Sequence, residues 1–255
     1  MNKGNFYSQV KIILFDDGRL VETDAHLVRE EELCIFINGT YFTTLVCSPG
    51  ADRELALGFL LSEAILDQDS AVKSIDCSRG RINITTTEPL SAIGSDQSDS
   101  EFHNKSFRIL ENPSLQCYSA KARFKASHLL QLIHELDQRA DTFKITGGVH
   151  SAALADNRTM LVRYEDIGRH NAVDKVFGYA FMKHISLFDK CLVLSGRISN
   201  EILAKAAQNR IPFIISRSAP TLQAVQGAEQ LGITVVGFAR GSRFNVYTRP
   251  ERIIE

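Results

Sequence analysis

The first third of the chain is a series of short apolar and alternating runs, the pattern of half-buried strands. An alternating opening segment, Val10 to Phe15, is followed by Leu33-Cys34-Ile35-Phe36-Ile37, then Asn38-Gly39, then Thr40-Tyr41-Phe42-Thr43-Thr44-Leu45-Val46. Asn-Gly between two such runs predicts a tight hairpin, because a type I′ turn holds both central residues at positive φ. Pro49-Gly50 ends it. Asp52 is placed to cap a helix in which Leu55, Phe59, Ser62 and Ile65 recur at helical spacing. A second hairpin is expected from Ser74 to Thr87, turning near Arg79-Gly80, and these strands with one helix suffice for a small α+β unit.

From Glu88 to Ser106 apolar anchors thin out among Ser, Asp, Gly, Asn and Gln, so this stretch reads as a linker, with a domain boundary at 113/114. Beyond it, Leu129, Leu132, Ile133 and Leu136 form the buried stripe of a helix over 127–139, on which His128 and His134 fall at the surface. The last third alternates strand-like runs (Cys191 to Ser195, Pro212 to Ser216, Ile233 to Gly237) with helical segments at Asn200 to Gln208 and Thr221 to Leu231. This rhythm predicts βαβ units and an α/β domain over 114–255, its sheet mixed but largely parallel, with helices on both faces.

In such sheets ligands bind beyond the carboxyl ends of the strands. Those ends carry Gly196-Arg197-Ile198-Ser199, then Arg217-Ser218-Ala219-Pro220-Thr221, then Phe238-Ala239-Arg240-Gly241-Ser242-Arg243. Before them stands the densest chemistry in the chain, Tyr164-Glu165-Asp166-Ile167-Gly168-Arg169-His170-Asn171-Ala172-Val173-Asp174-Lys175. A strand, a turn at Gly168 and a helix burying Val173, Phe177, Ala180 and Phe181 would set Asp166 near the helix start, with His170 and Asp174 on one face. With Arg169 and Lys175 added, the expectation is a rim of cations and helix starts suited to an anionic, phosphate-bearing ligand. A capped helix with a solvated polar face is the bland alternative. Gly147-Gly148 before His150 marks either a backbone that something approaches closely or a plain turn.

At 255 residues, with 44% hydrophobic and 23% charged residues and a formal net charge of -1, the chain has the balance of a globular protein. Nothing in that balance favours nucleic acid, no run approaches the roughly 18 apolar residues of a membrane span, and a cytoplasmic location is expected. Five cysteines at wide spacing fit neither a disulfide framework nor a structural zinc site. Cys34, Cys47 and Cys191 sit in apolar runs and read as small buried hydrophobes; Cys77 has no chemical neighbour in sequence. Cys117 differs, lying in a polar loop beside Lys121 and Arg123, where positive charge favours a thiolate. Walker, Gly-x-Gly-x-x-Gly, His-Glu-x-x-His, deaminase zinc and Gly-x-Ser-x-Gly signatures are all missing, so no metal site is expected.

Several stretches together resemble the FdhD family, the formate dehydrogenase accessory sulfurtransferases. They are Ala56-Leu57-Gly58-Phe59-Leu60-Leu61-Ser62-Glu63, Thr146-Gly147-Gly148-Val149-His150-Ser151-Ala152, Glu165 through Lys175, Ser195-Gly196-Arg197, and Val236-Gly237-Phe238-Ala239-Arg240 followed by Tyr247-Thr248. The resemblance implies a cytidine deaminase-like fold for the larger domain, without that family's zinc chemistry, beside a smaller N-terminal α+β domain (1–113), and a homodimer. It implies a sulfur carrier that takes persulfide sulfur from a cysteine desulfurase and passes it to the molybdenum cofactor, bis-molybdopterin guanine dinucleotide, before insertion into formate dehydrogenase. Phe238 through Arg243 match the family's cofactor-binding loop, and the cofactor's pyrophosphates suit Arg197, Arg217, Ser218, Arg240 and Arg243. Gly168, Arg169 and His170 become one wall of the pocket, with His150 and His170 for proton handling or cofactor contact. Family members carry a Cys-Gly-x-Cys-Gly loop, where this chain has Gln116-Cys117-Tyr118-Ser119-Ala120. Cys117 is the expected persulfide carrier; loss of the second cysteine also admits a chaperone that binds the cofactor without transferring sulfur.

Overall fold

The computed structural model describes residues 6–67, 70, 72–87, 115 and 122–255. The predicted linker over 88–106, the 113/114 boundary and Cys117 all lie outside these residues.

The amino-terminal part holds two pieces. Strands β1 (Tyr7–Asp16) and β2 (Arg19–Val28) form a ten-residue antiparallel ribbon. Strands β3 (Glu31–Ile37), β4 (Thr40–Cys47), β5 (Val72–Ser78) and β6 (Arg81–Thr86) form a four-stranded sheet in the order β4-β3-β6-β5. The expected Asn-Gly turn joins β3 to β4: Asn38 and Gly39 have φ of 50° and 82°, and Ile37 pairs with Thr40. Leu33, Ile35 and Ile37 of β3, with Ile82 and Ile84 of β6, pack on α1 (Asp52–Ser62) through Leu55, Leu57, Leu60 and Leu61. Asp52 is not the cap foreseen for this helix. It is the first helical residue, and Ala51 occupies the cap in a left-handed conformation with no side-chain bond. Its carboxylate still meets the positive end of the helix dipole.

The larger sheet has six strands in the order β13-β12-β11-β10-β8-β9. They are β8 (His150–Ala155), β9 (Met160–Asp166), β10 (Cys191–Leu194), β11 (Phe213–Ser216), β12 (Thr234–Arg240) and β13 (Arg243–Thr248). Only β10, β11 and β12 run parallel; β8–β9, β8–β10 and β12–β13 are antiparallel, so the expected largely parallel sheet is corrected to a parallel centre with antiparallel flanks. Short connections are the reason: Gly241-Ser242 and the turn after Ala155 are too short for a crossover, which takes a dozen residues or more.

Strand periodicity then divides the core. Leu192, Leu194, Ile214 and Val235 face α4 (Arg169–Met182), α5 (Asn200–Gln208) and α6 (Leu222–Leu231). Cys191, Val193, Phe213, Ile215 and Val236 face α2 (Ala126–Gln138) on the other side. A short helix, α3 (Asp141–Thr146), precedes β8, while β7 (Phe124–Lys125) pairs with β14 (Ile253–Ile254) near the carboxyl end.

Helices α1 and α4 join the two sheets by direct backbone contact. A Cβ added at Gly58 would sit 1.7 Å from the Asp174 carbonyl oxygen, and one at Gly178 would sit 1.9 Å from that of Glu54. Only glycine fits at this crossing.

Candidate functional site

The dense stretch from Tyr164 to Lys175 divides between two environments. Asp166 ends β9 fully buried, and its carboxylate accepts from the Ser48 amide (3.1 Å), the Gly168 amide (2.9 Å), Asn171 Nδ2 (2.9 Å) and Lys175 Nζ (2.6 Å). Lys175 donates also to the Ser48 carbonyl at 3.3 Å. Next to Lys175 in sequence, Asp174 accepts from Ser62 Oγ (2.7 Å) and from Lys205 Nζ (2.9 and 3.0 Å). Ser48 and Ser62 flank α1 on the far side of the helix crossing, so both networks bridge the two sheets. Lys175, expected on the basic rim, is 0% exposed. Removing an ion from water is affordable only with an opposite charge and full hydrogen bonding, and Asp166 supplies both.

Arg169 and His170 open towards the strand ends. Gly168 is the N-cap of α4, and Arg169 and His170 form its first turn. His170 Nε2 lies 3.0 Å from Glu201 Oε2, and Arg169 reaches the same oxygen at 4.0 Å. His150, at the start of β8, pairs with Asp166 in the ladder and stands over Gly196, where a Cβ would lie 3.3 Å from Nδ1 and 3.7 Å from the Arg169 Cβ. Burial, then Lys205, pushes the His170 imidazole down to about 4 from an ordinary 6.5. His150 is lowered by partial burial and by Arg169. Both are therefore neutral near pH 7, each ring with one nitrogen able to accept.

Hydrogen bonds lace the three parallel strand ends together. Ser216 Oγ donates to the Gly196 carbonyl at 2.6 Å and accepts from the Ser218 amide at 3.0 Å. The Phe238 amide donates to the Ser218 carbonyl at 3.1 Å, and Arg240 Nε to the Arg217 carbonyl at 3.1 Å. Phe238 holds φ of 52°, strained for an aromatic residue, and is 44% exposed at a bulge between Gly237 and Arg240. Non-glycine residues kept in that region persist where the surroundings enforce them, often at ligand sites. Helices α5 and α6 begin just beyond, capped by Ser199 and Thr221.

Of the residues expected at the rim, Lys175 is withdrawn into the buried network and the others stand at the strand ends and helix starts. Arg197, Arg240, Gly241, Ser242 and Arg243 are exposed, the last four around the β12–β13 turn. Arg217 shares its guanidinium with Asp137 at 3.1 Å, an exposed pair that a phosphate can displace at little cost. The Ala239 side chain lies in the core, leaving only its backbone for a ligand. The exposed arginines and the amides at the helix starts can grip an anion, while the exposed His150 and the partly buried His170 offer neutral acceptors beside it.

Three contributors escape a sequence reading. Glu201 reads as an acid favouring a helix start, Asp137 as surface on α2, and Ser216 as the last residue of a strand; their partners are distant in sequence. Among the cysteines, burial pushes the Cys47 thiol up to about 12 and raises that of Cys191 as well, so both are inert, as their apolar runs imply. Cys34 is half-buried, and exposed Cys77 accepts from Arg53 Nε at 3.4 Å.

Comparison with known proteins finds relatives along the whole chain. Curated relatives from Staphylococcus aureus, strains MRSA252 and Newman, each named sulfur carrier protein FdhD, are 37% identical over 270 residues, spanning 100% of this chain and 99% of theirs. A crystal structure of a formate dehydrogenase accessory protein from Desulfotalea psychrophila is similar with a TM-score of 0.83 at 26% identity, covering 98% of this chain and 100% of that one. No helix among the described residues is long and apolar enough to cross a membrane. The FdhD/NarQ family model matches residues 28–254, and the chain belongs to that family.

Proposed function

We propose that this protein is a sulfur carrier that serves formate dehydrogenase through its molybdenum cofactor. The Cys117 thiolate attacks the sulfane sulfur of a persulfide on a cysteine desulfurase; a new S–S bond forms at Cys117 and the donor's thiolate leaves. The carried sulfur then passes to bis-molybdopterin guanine dinucleotide, which is cargo here and goes on to the dehydrogenase. The larger unit is read as a deaminase-like fold put to binding, in a cytoplasmic homodimer.

The observation that carries this reading is the laced strand-end rim. Arg197, Arg240 and Arg243 are exposed beside two capped helix starts, as a pyrophosphate-bearing cargo requires. The full-length similarity to sulfur carrier proteins supports it. A second reading, a chaperone that binds the cofactor without transferring sulfur, is favoured by one feature: Gln116-Cys117-Tyr118-Ser119-Ala120 has a single cysteine.

Intact-mass measurement after incubation with a cysteine desulfurase and cysteine separates the two. The wild type is expected to gain one sulfur atom and Cys117→Ala none. A wild type that stays unmodified leaves the chaperone, and a variant that gains as much sulfur removes Cys117 from the mechanism.

A further inference from the structure

The ribbon of β1 and β2 belongs to neither larger sheet and leaves its apolar side chains uncovered. Its register puts Val10, Ile12 and Leu14 on one face with Val21, Ala25 and Leu27. Leu14, Val21 and Leu27 are exposed, and at the tip, on the other face, Phe15 pairs with Leu20 at 68% and 72% exposure. A two-stranded ribbon by itself is marginal in water, and a contiguous apolar surface of this kind marks a place where another surface docks. Its charge is as uneven as its polarity. Residues 7–32 hold seven acidic side chains and three basic ones, in a chain whose formal net charge is -1. Lys11 pairs with Glu22 at 2.6 Å and Arg29 with Glu31 at 3.4 Å, while exposed Asp16, Asp17, Asp24 and Glu30 have no ion-pair partner among the described residues. The base of the ribbon lies beside the strand-end rim. A Cβ at Gly148 would come 2.8 Å from Val28 Cγ1, and Gly148 is two residues from His150, which stands over Gly196.

We infer that this ribbon is the arm that docks the recipient of the cargo, formate dehydrogenase still lacking its cofactor, by setting an apolar, acid-bordered tip against a basic face. The inference rests on the function proposed above. Charge complementarity selects the occupant. A protein that takes up a pyrophosphate-bearing cofactor presents cations around the mouth of its cofactor cavity. The arginines of the rim repel such a mouth, whereas the free carboxylates of the ribbon attract it and turn it towards the cargo held alongside. The same carboxylates oppose two other occupants: an anionic membrane surface is repelled, and two ribbons packed together set like charges against each other. The apolar tip then supplies the contact area, and the acids its orientation.

Biolayer interferometry on immobilised formate dehydrogenase apoprotein, purified without its cofactor, tests this with the full chain. The wild type is expected to bind, and to bind more weakly as salt is raised. Phe15→Ser with Leu20→Ser is expected to weaken binding about tenfold or more. Asp16→Asn with Asp17→Asn, which leaves a residue tolerant of the left-handed turn at position 17 (φ 45°), is expected to weaken it about threefold at low salt and to flatten the salt dependence. Both double variants should keep the wild-type circular dichroism, solution mass and sulfur loading at Cys117. A wild type that does not bind the apoprotein overturns the docking and the partner reading together. Undiminished binding by both variants overturns the ribbon's role alone. A variant whose solution mass falls assigns the ribbon to a second copy, and one that loses sulfur loading assigns it to the sulfur donor; either result overturns the inference.

Discussion

Within residues 164–175 the same kinds of charged side chain do opposite work, one set at the sealed helix joint and one at the open strand-end rim. At the joint, Asp166, Asp174 and Lys175 are at most 1% exposed and each carboxylate is closed by a lysine and further donors. Their partners, Ser48 and Ser62, come from the amino-terminal sheet and its helix, so the charges hold two sheets in register. A few residues away, Arg169 and His170 meet Glu201 with between 26% and 34% of each side chain exposed. Burial decides the difference. A charge with every hydrogen bond made by protein has none left for a ligand, whereas a half-exposed arginine can exchange water or a weak partner for phosphate.

Breaking the joint should be the costliest change. Lys175→Ala leaves Asp166 buried without its counter-charge and is expected to lose about 3–5 kcal/mol of stability, measured by urea unfolding. A loss no larger than that of a surface lysine would mean that the pair is not sealed. Next comes the glycine crossing: Gly178→Ala places a methyl group against the rigid Glu54 carbonyl and is expected to cost about 1–3 kcal/mol. A neutral thermal shift would show that α1 and α4 can separate without penalty.

A smaller effect distinguishes the half-open region. The folded His170 titrates near 4, below its ordinary 6.5, because burial opposes the imidazolium. Between those values the unfolded chain binds a proton that the folded chain refuses, so this contribution is full above about pH 6.5 and is lost as pH falls towards 4. The wild type should therefore lose more stability between pH 7 and pH 5 than His170→Gln does. Equal losses in the two proteins would place His170 in ordinary solvent.

How far this division can be read from sequence depends on the range of the interactions. The Asn38-Gly39 turn, the stripe of Leu129, Leu132, Ile133 and Leu136, and the helix from Asn200 to Gln208 are local, and the structure has them where the spacing sets them. Strand sense at the flanks was misread because apolar runs show burial and not direction; the short turn at Gly241-Ser242 carried that information. Lys175 was misplaced for a related reason. A lysine on a helix reads as solvated unless Asp166 and the Ser48 carbonyl are known to meet it, and that is a fact of packing between distant segments. The arginines at successive strand ends were legible because the α/β rhythm fixes where strands finish, while Glu201 was not, since its role exists only beside His170.

The division itself is tested most directly by titrating guanosine diphosphate, a fragment of the cofactor, into the wild type, Arg240→Ala and Arg243→Ala. The rim account predicts binding to the wild type and a loss of about tenfold or more in each variant, the scale of a hydrogen bond to a charged group. Melting temperatures should stay close to wild type, because neither arginine is buried. Undiminished binding in both variants, or no binding to the wild type, would contradict it.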